Sequence, residues 1–120
     1  MKILKLWLPV VIWAALIFIL SGIPKLDSGL ELDFLLRKIA HVCEYLVLTF
    51  LLWRAFKGTF SLSVRDLVLY VSVLSVGYAM SDEYHQSFVA GRQGSVEDVV
   101  IDSIGVLLFW IIRYVYFRSI

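Results

Sequence analysis

The stretch Ser81-Asp82-Glu83-Tyr84-His85-Gln86-Ser87-Phe88-Val89-Ala90-Gly91-Arg92-Gln93-Gly94-Ser95-Val96-Glu97-Asp98 lies between two long apolar runs. It gathers Asp82, Glu83, Glu97 and Asp98 with His85, Gln86 and Arg92, in a chain that is otherwise mostly apolar. The run before it, from Leu67 to His85, and the run after it, from Val99 to Phe117, are each near the ~20 residues that a helix needs to cross ~30 Å of hydrocarbon. The stretch therefore reads as the polar turn between two membrane-crossing helices. Polar groups at the margin of a bilayer are costly to desolvate, so so dense a cluster is a functional candidate by default.

Working outward, two more apolar runs appear, from Leu4 to Ile23 and from Leu36 to Phe56. Pro24, the Lys57-Gly58-Thr59 turn and the Gly91 to Gly94 stretch separate the four segments. Pro9 falls in the first turns of segment one, where a missing amide is tolerated. A chain of 120 residues allows one domain, here 1–120, and 61% hydrophobic residues with a mean hydropathy of +0.88 place it in lipid. The fold expected is all-α, an integral membrane four-helix bundle of two transmembrane hairpins, multi-pass in a bacterial plasma membrane.

The net charge of +1, with no basic stripe carrying interleaved aromatics, excludes nucleic acid as a partner. The single cysteine, Cys43, has no disulfide partner and no Cys or His at metal-ligand spacing around it, and is expected to pack as a small residue between helices. The start of the chain, Met1-Lys2-Ile3-Leu4-Lys5 and an apolar run, has the outline of a signal peptide. It lacks the small-residue pair that a peptidase reads, so it is expected to stay as a membrane anchor. Trp7, Trp13, Trp53, Trp110 and Tyr114 are expected as interfacial anchors.

Orientation follows from the basic residues, which are in excess on the cytoplasmic side. Lys2, Lys5, Arg54, Lys57, Arg65, Arg113 and Arg118 fall on one side; Lys25, Arg37, Lys38 and Arg92 fall on the other, with every acid except Asp66. Both termini are thus expected in the cytoplasm, and the polar cluster outside.

The spacing of polar residues within the segments says where they point. At 100° per residue, Lys38, His41 and Tyr45 share one narrow face of segment two, with Glu44 on its flank. In segment three Ser75, Tyr78, Asp82 and Gln86 recur at three and four residues, with Glu83 and His85 on either side. Ser95 and Asp98 form a helix-start signature, and Asp98, Asp102 and Gly105 continue one stripe into segment four. Three helices each carry a polar stripe near one end, and convergence of the three buries them all.

Lys38-x-x-His41-x-x-Glu44-Tyr45, Tyr78-x-x-x-Asp82-Glu83-x-x-Gln86, Arg92-x-x-Ser95-x-x-Asp98 and Gly105, with Leu20-Ser21-Gly22-Ile23-Pro24 at the end of segment one, resemble the signature of the VanZ-like membrane proteins, named for a determinant of teicoplanin resistance. The resemblance covers almost the whole chain. It implies a small cell-envelope protein associated with reduced susceptibility to lipoglycopeptide antibiotics, and no settled biochemical activity. Asp102 departs from the pattern, which more often has asparagine there, so the charge of the deepest polar position is left open.

Lys38, His41, Glu44, Asp82, Glu83, Gln86, Arg92 and Asp98 are the candidate site residues, with Ser95 as a cap and Gly105 as a point of close helix contact. As scaffold, Lys38 and Arg92 would neutralise Asp82, Glu83 and Asp98, but interhelical polar contacts contribute only about 1 kcal/mol each. As a receptor, the cluster would bind a lipoglycopeptide, a membrane lipid or a lipid-linked cell-wall intermediate through its headgroup. As an enzyme acting on an envelope lipid, it would use His41 with Glu44, or Asp82 and Glu83 with His85, as acid and base or as ligands to a divalent ion. No His-Glu-x-x-His pair, clear serine or cysteine nucleophile with an adjacent base, or phosphate loop supports this; the cofactor is left open, and no metal site is expected beside Lys38 and Arg92. As a small proton- or ion-coupled transporter, the chain would need the stripe down to Asp102 and a homo-oligomer.

Overall fold

The computed structural model describes residues 2–21, 31–88 and 96–116. They form four helices: α1 (Lys2–Ser21), α2 (Glu31–Thr59), α3 (Val64–Gln86) and α4 (Val96–Tyr116). The all-α expectation holds, with no strand among the described residues. Pro9 sits inside α1. Ser63 caps α3, its side chain accepting the Asp66 amide at 3.2 Å. The largest boundary difference is in α2, expected at 36–56 and observed at Glu31–Thr59. An apolar window marks only the part of a helix that lipid can cover, and no glycine or proline stands between residues 31 and 57 to stop the helix beyond it.

Three helices, over Lys2–Leu20, Val64–Gln86 and Val96–Tyr116, are long and apolar enough to cross a membrane. The 29 residues of α2 extend about 43 Å, and this helix carries the polar face. It is the hub of the bundle, packed against each of the other three, whereas α1 makes no contact with α4 among the described residues. Paired residues give the directions. Trp7 meets Thr59 and Trp13 meets Glu44, so α1 runs antiparallel to α2. Tyr45 meets Asp82 and Thr49 meets Ser75, so α3 does too. Lys38 meets Asp98 and His41 meets Asp102, so α2 and α4 are parallel neighbours.

The core is thin for so apolar a chain. Ile17, Tyr45, Leu48, Ala55, Val71 and Ala79 are buried among the helices. Ile3, Val11, Ile12, Ile19, Val73, Met80 and Leu107 face outward with many others. An apolar shell of this extent is unsuited to water and suited to acyl chains.

Three of the four tryptophans expected at the interfaces turn their indole N–H groups toward neighbouring helices. Trp7 donates to Thr59 Oγ1 at 2.8 Å, Trp13 to the Glu44 carbonyl at 2.9 Å and Trp110 to Ser72 Oγ at 2.9 Å. Trp53 is buried beside Phe50 and Phe109, with Lys57 and Arg113 over its ring. An indole N–H in lipid has no water to donate to, so a protein acceptor one helix away decides its orientation. Trp13→Phe keeps the ring and deletes the bond between α1 and α2. It is expected to lower bundle stability by about 1 kcal/mol, read as a lower melting temperature in detergent; an unchanged midpoint would show that the bond is dispensable.

Cys43 corrects another expectation: it is exposed, not packed between helices. Two residues beyond His41, it lies some 200° around α2, on the side opposite the polar face.

Candidate functional site

The polar cluster is built on α2 by the three- and four-residue spacing of Lys38, His41 and Tyr45. Each of these side chains bonds to an acid on α3 or α4. The Lys38 ammonium pairs with Asp98 Oδ1, His41 Nδ1 lies 2.9 Å from Asp102 Oδ1, and the Tyr45 hydroxyl donates to Asp82 Oδ2 at 3.3 Å. Because α2 and α4 run parallel, the step from Lys38 to His41 is matched by the step from Asp98 to Asp102. Aspartate side chains are short, so the two backbones must lie close for both pairs to form. Gly105 provides that approach: its missing Cβ leaves room only for the backbone of Val42 and Leu46.

The α3 side of the cluster is more deeply covered. Asp82, Glu83 and Gln86 are buried, and Asp102 on α4 is fully so. The Gln86 amide donates to Asp82 Oδ2 at 3.2 Å, the same oxygen that receives Tyr45. One turn further in, Thr49 donates to the Tyr45 carbonyl at 2.6 Å and lies 3.3 Å from Ser75 Oγ, which continues the polar seam between α2 and α3. A buried carboxylate is tolerated where donors or cations meet it, and these acids sit among hydroxyl, amide, imidazole and ammonium groups from three helices. His41, Glu83 and Asp102 come together closely enough to share an ion, one ligand atom from each lying within 4.8 Å of the others.

Over residues 4–117 the sequence matches the family described as VanZ/LLP1. The chain belongs to the VanZ/LLP1 family. Among curated relatives, the uncharacterized membrane protein YwnJ of Bacillus subtilis (strain 168) is 30% identical over 95 residues, which cover 72% of this chain and 61% of YwnJ. The chain thus spans less than two thirds of that relative's length. No solved structure matches.

The residues that carried the VanZ-like resemblance divide as follows. Lys38, His41, Asp82, Glu83, Gln86 and Asp98 share the cluster. Glu44 is half-buried on its flank, and its backbone carbonyl accepts Trp13. Arg92 and Ser95 lie outside the described residues. His85, which the acid-base reading set with Asp82 and Glu83, stacks its ring on Phe18 of α1, centroids 3.9 Å apart. Of the three acids expected to share Lys38 and Arg92, Asp98 pairs with Lys38.

Asp102 and Tyr45 belong to the centre of the site but were not among its expected members. The stripe Asp98, Asp102, Gly105 carried the signal, since a residue four past a site acid and three before a contact glycine must face the same neighbour.

Proposed function

We propose that this VanZ/LLP1 chain crosses a bacterial plasma membrane four times, in two hairpins with both termini cytoplasmic, and binds a polar headgroup at the outer end of its bundle. The ligand is a lipoglycopeptide such as teicoplanin or a surface lipid, and its capture lowers susceptibility to the drug. The observation that carries this reading is the convergence of Lys38, His41, Asp82, Glu83, Asp98 and Asp102 from three helices at one end of an otherwise apolar bundle. Interhelical polar contacts in lipid contribute only about 1 kcal/mol each, so stability is a weak reason to hold so many ionisable groups there. The orientation is supported by Lys2, Lys5, Arg54, Lys57, Arg65 and Arg113, which fall at the opposite end.

The test is the teicoplanin susceptibility of a sensitive host expressing wild type, Asp82→Asn or Glu83→Gln at equal membrane abundance. Wild type is expected to protect the host, and both variants to lose that protection. Equal susceptibility with and without the wild-type protein would overturn the reading.

A further inference from the structure

We propose that His41, Glu83 and Asp102 bind a divalent first-row transition-metal ion. Each ligand comes from a different helix, α2, α3 and α4, as in metal sites built in the core of helix bundles. One ligand atom from each residue lies within 4.8 Å of the other two. Three atoms at the corners of a triangle with sides of at most 4.8 Å lie no more than about 2.8 Å from its centre. Metal–ligand bonds to imidazole and carboxylate are about 2.0–2.2 Å, so each side chain need close by well under 1 Å. Ligation through His41 Nδ1 and Asp102 Oδ1 would displace the proton they share at 2.9 Å, since an imidazole binds an ion in its neutral form.

A second observation points to a ligand independently of this spacing. Asp102 is fully buried, and its Oδ2 has no hydrogen-bond partner among the described residues. A buried carboxylate oxygen left without a donor has lost its hydration with nothing in return. A cation at the triad would satisfy it.

The donor set selects the ion. One imidazole with two carboxylates suits Zn2+, Mn2+ or Fe2+, whereas Ca2+ and Mg2+ take oxygen ligands. Lys38, the basic residue one turn before His41, is held by Asp98. The two hydrogen bonds on Asp82 Oδ2, from Tyr45 and Gln86, place a further acid beside the triad without making it a member. The inference stands apart from the headgroup reading, because its readout is the metal itself.

The probe is Co2+, whose visible absorption reports coordination by nitrogen and oxygen. The full chain, purified in detergent and stripped with chelator, is titrated beside Asp102→Asn, Glu83→Gln and Asp82→Asn, with helicity and elution volume confirming the fold of each. One Co2+ per wild-type chain is expected, displaced by Zn2+. Asp102→Asn and Glu83→Gln should bind at least about 100-fold more weakly, since loss of outer-shell partners alone costs 10–100-fold; Asp82→Asn should remain within a few-fold of wild type. No saturable Co2+ band in folded wild type, or equal affinity in wild type and a folded Asp102→Asn or Glu83→Gln variant, would overturn the proposal. Should one of these two variants fail to fold, the other and the wild-type titration decide it.

Discussion

Gly105→Ala is expected to cost the bundle about 3 kcal/mol, the upper end of the range for overpacked interiors, or to prevent its assembly. A Cβ at this position would stand 2.9 Å from the Leu46 amide nitrogen and 3.2 Å from the Val42 carbonyl carbon, with the Val42 oxygen closer still. All three atoms are backbone within α2, so no rotamer change relieves the clash and the helices themselves must separate. Separation would draw Asp98 and Asp102 away from Lys38 and His41, whose short-armed partners reach only because the backbones are close. Gly77→Ala is the matched control. Nothing lies within 4 Å of the Cβ it would add, so helix propensity alone applies and the variant should be neutral or up to about 1 kcal/mol more stable. Melting of the two variants in detergent, followed by tryptophan fluorescence, separates them. Coincident melting of Gly105→Ala and wild type would mean that the contact between α2 and α4 is looser than the structure has it.

The contrast between these glycines shows what a sequence can and cannot say about such a chain. The helical period fixes which residues of one helix face together, so the alignment of Lys38, His41 and Tyr45 was legible before any fold was known. The stripe of Asp98, Asp102 and Gly105 was legible for the same reason. What the period cannot fix is which stripe meets which. The parallel pairing of α2 with α4 set His41 against Asp102, whereas proximity in sequence had suggested His41 with Glu44. His85 illustrates the same limit: it follows Asp82 and Glu83 closely in the chain, yet its ring turns to Phe18 on α1. Tryptophans are ambiguous because an indole serves equally at a membrane interface and as a donor between helices, and the nearest acceptor decides which. Cys43 was misread because small size suggests tight packing, although its angle around α2 sets it away from the polar face.

The charge reversal Lys38→Asp should have the second large effect. At a separation of about 4 Å and an effective dielectric of about 20, opposite charges attract by roughly 4 kcal/mol and like charges repel by as much. The Lys38 and Asp98 side chains retain 24% and 19% of their exposure, and solvent screening reduces the net loss to about 2–3 kcal/mol. Asp98→Lys alone should cost slightly more, because it also removes an acid from the first turn of α4, where the helix dipole favours negative charge. The double variant Lys38→Asp with Asp98→Lys restores the pair with its polarity exchanged, and its melting temperature should recover most of the loss. Failure to recover would mean that Lys38 and Asp98 act on stability through other neighbours. The same variant separates scaffold from receptor. A pair that only holds α2 and α4 in register would work as well reversed, so the refolded double variant would protect a host from teicoplanin as the wild type does. A pair whose ammonium group receives the anionic part of a headgroup would not, since the reversed polarity presents a carboxylate from α2 where the ligand needs a cation. The headgroup reading therefore expects a bundle that is stable again and a host that remains susceptible.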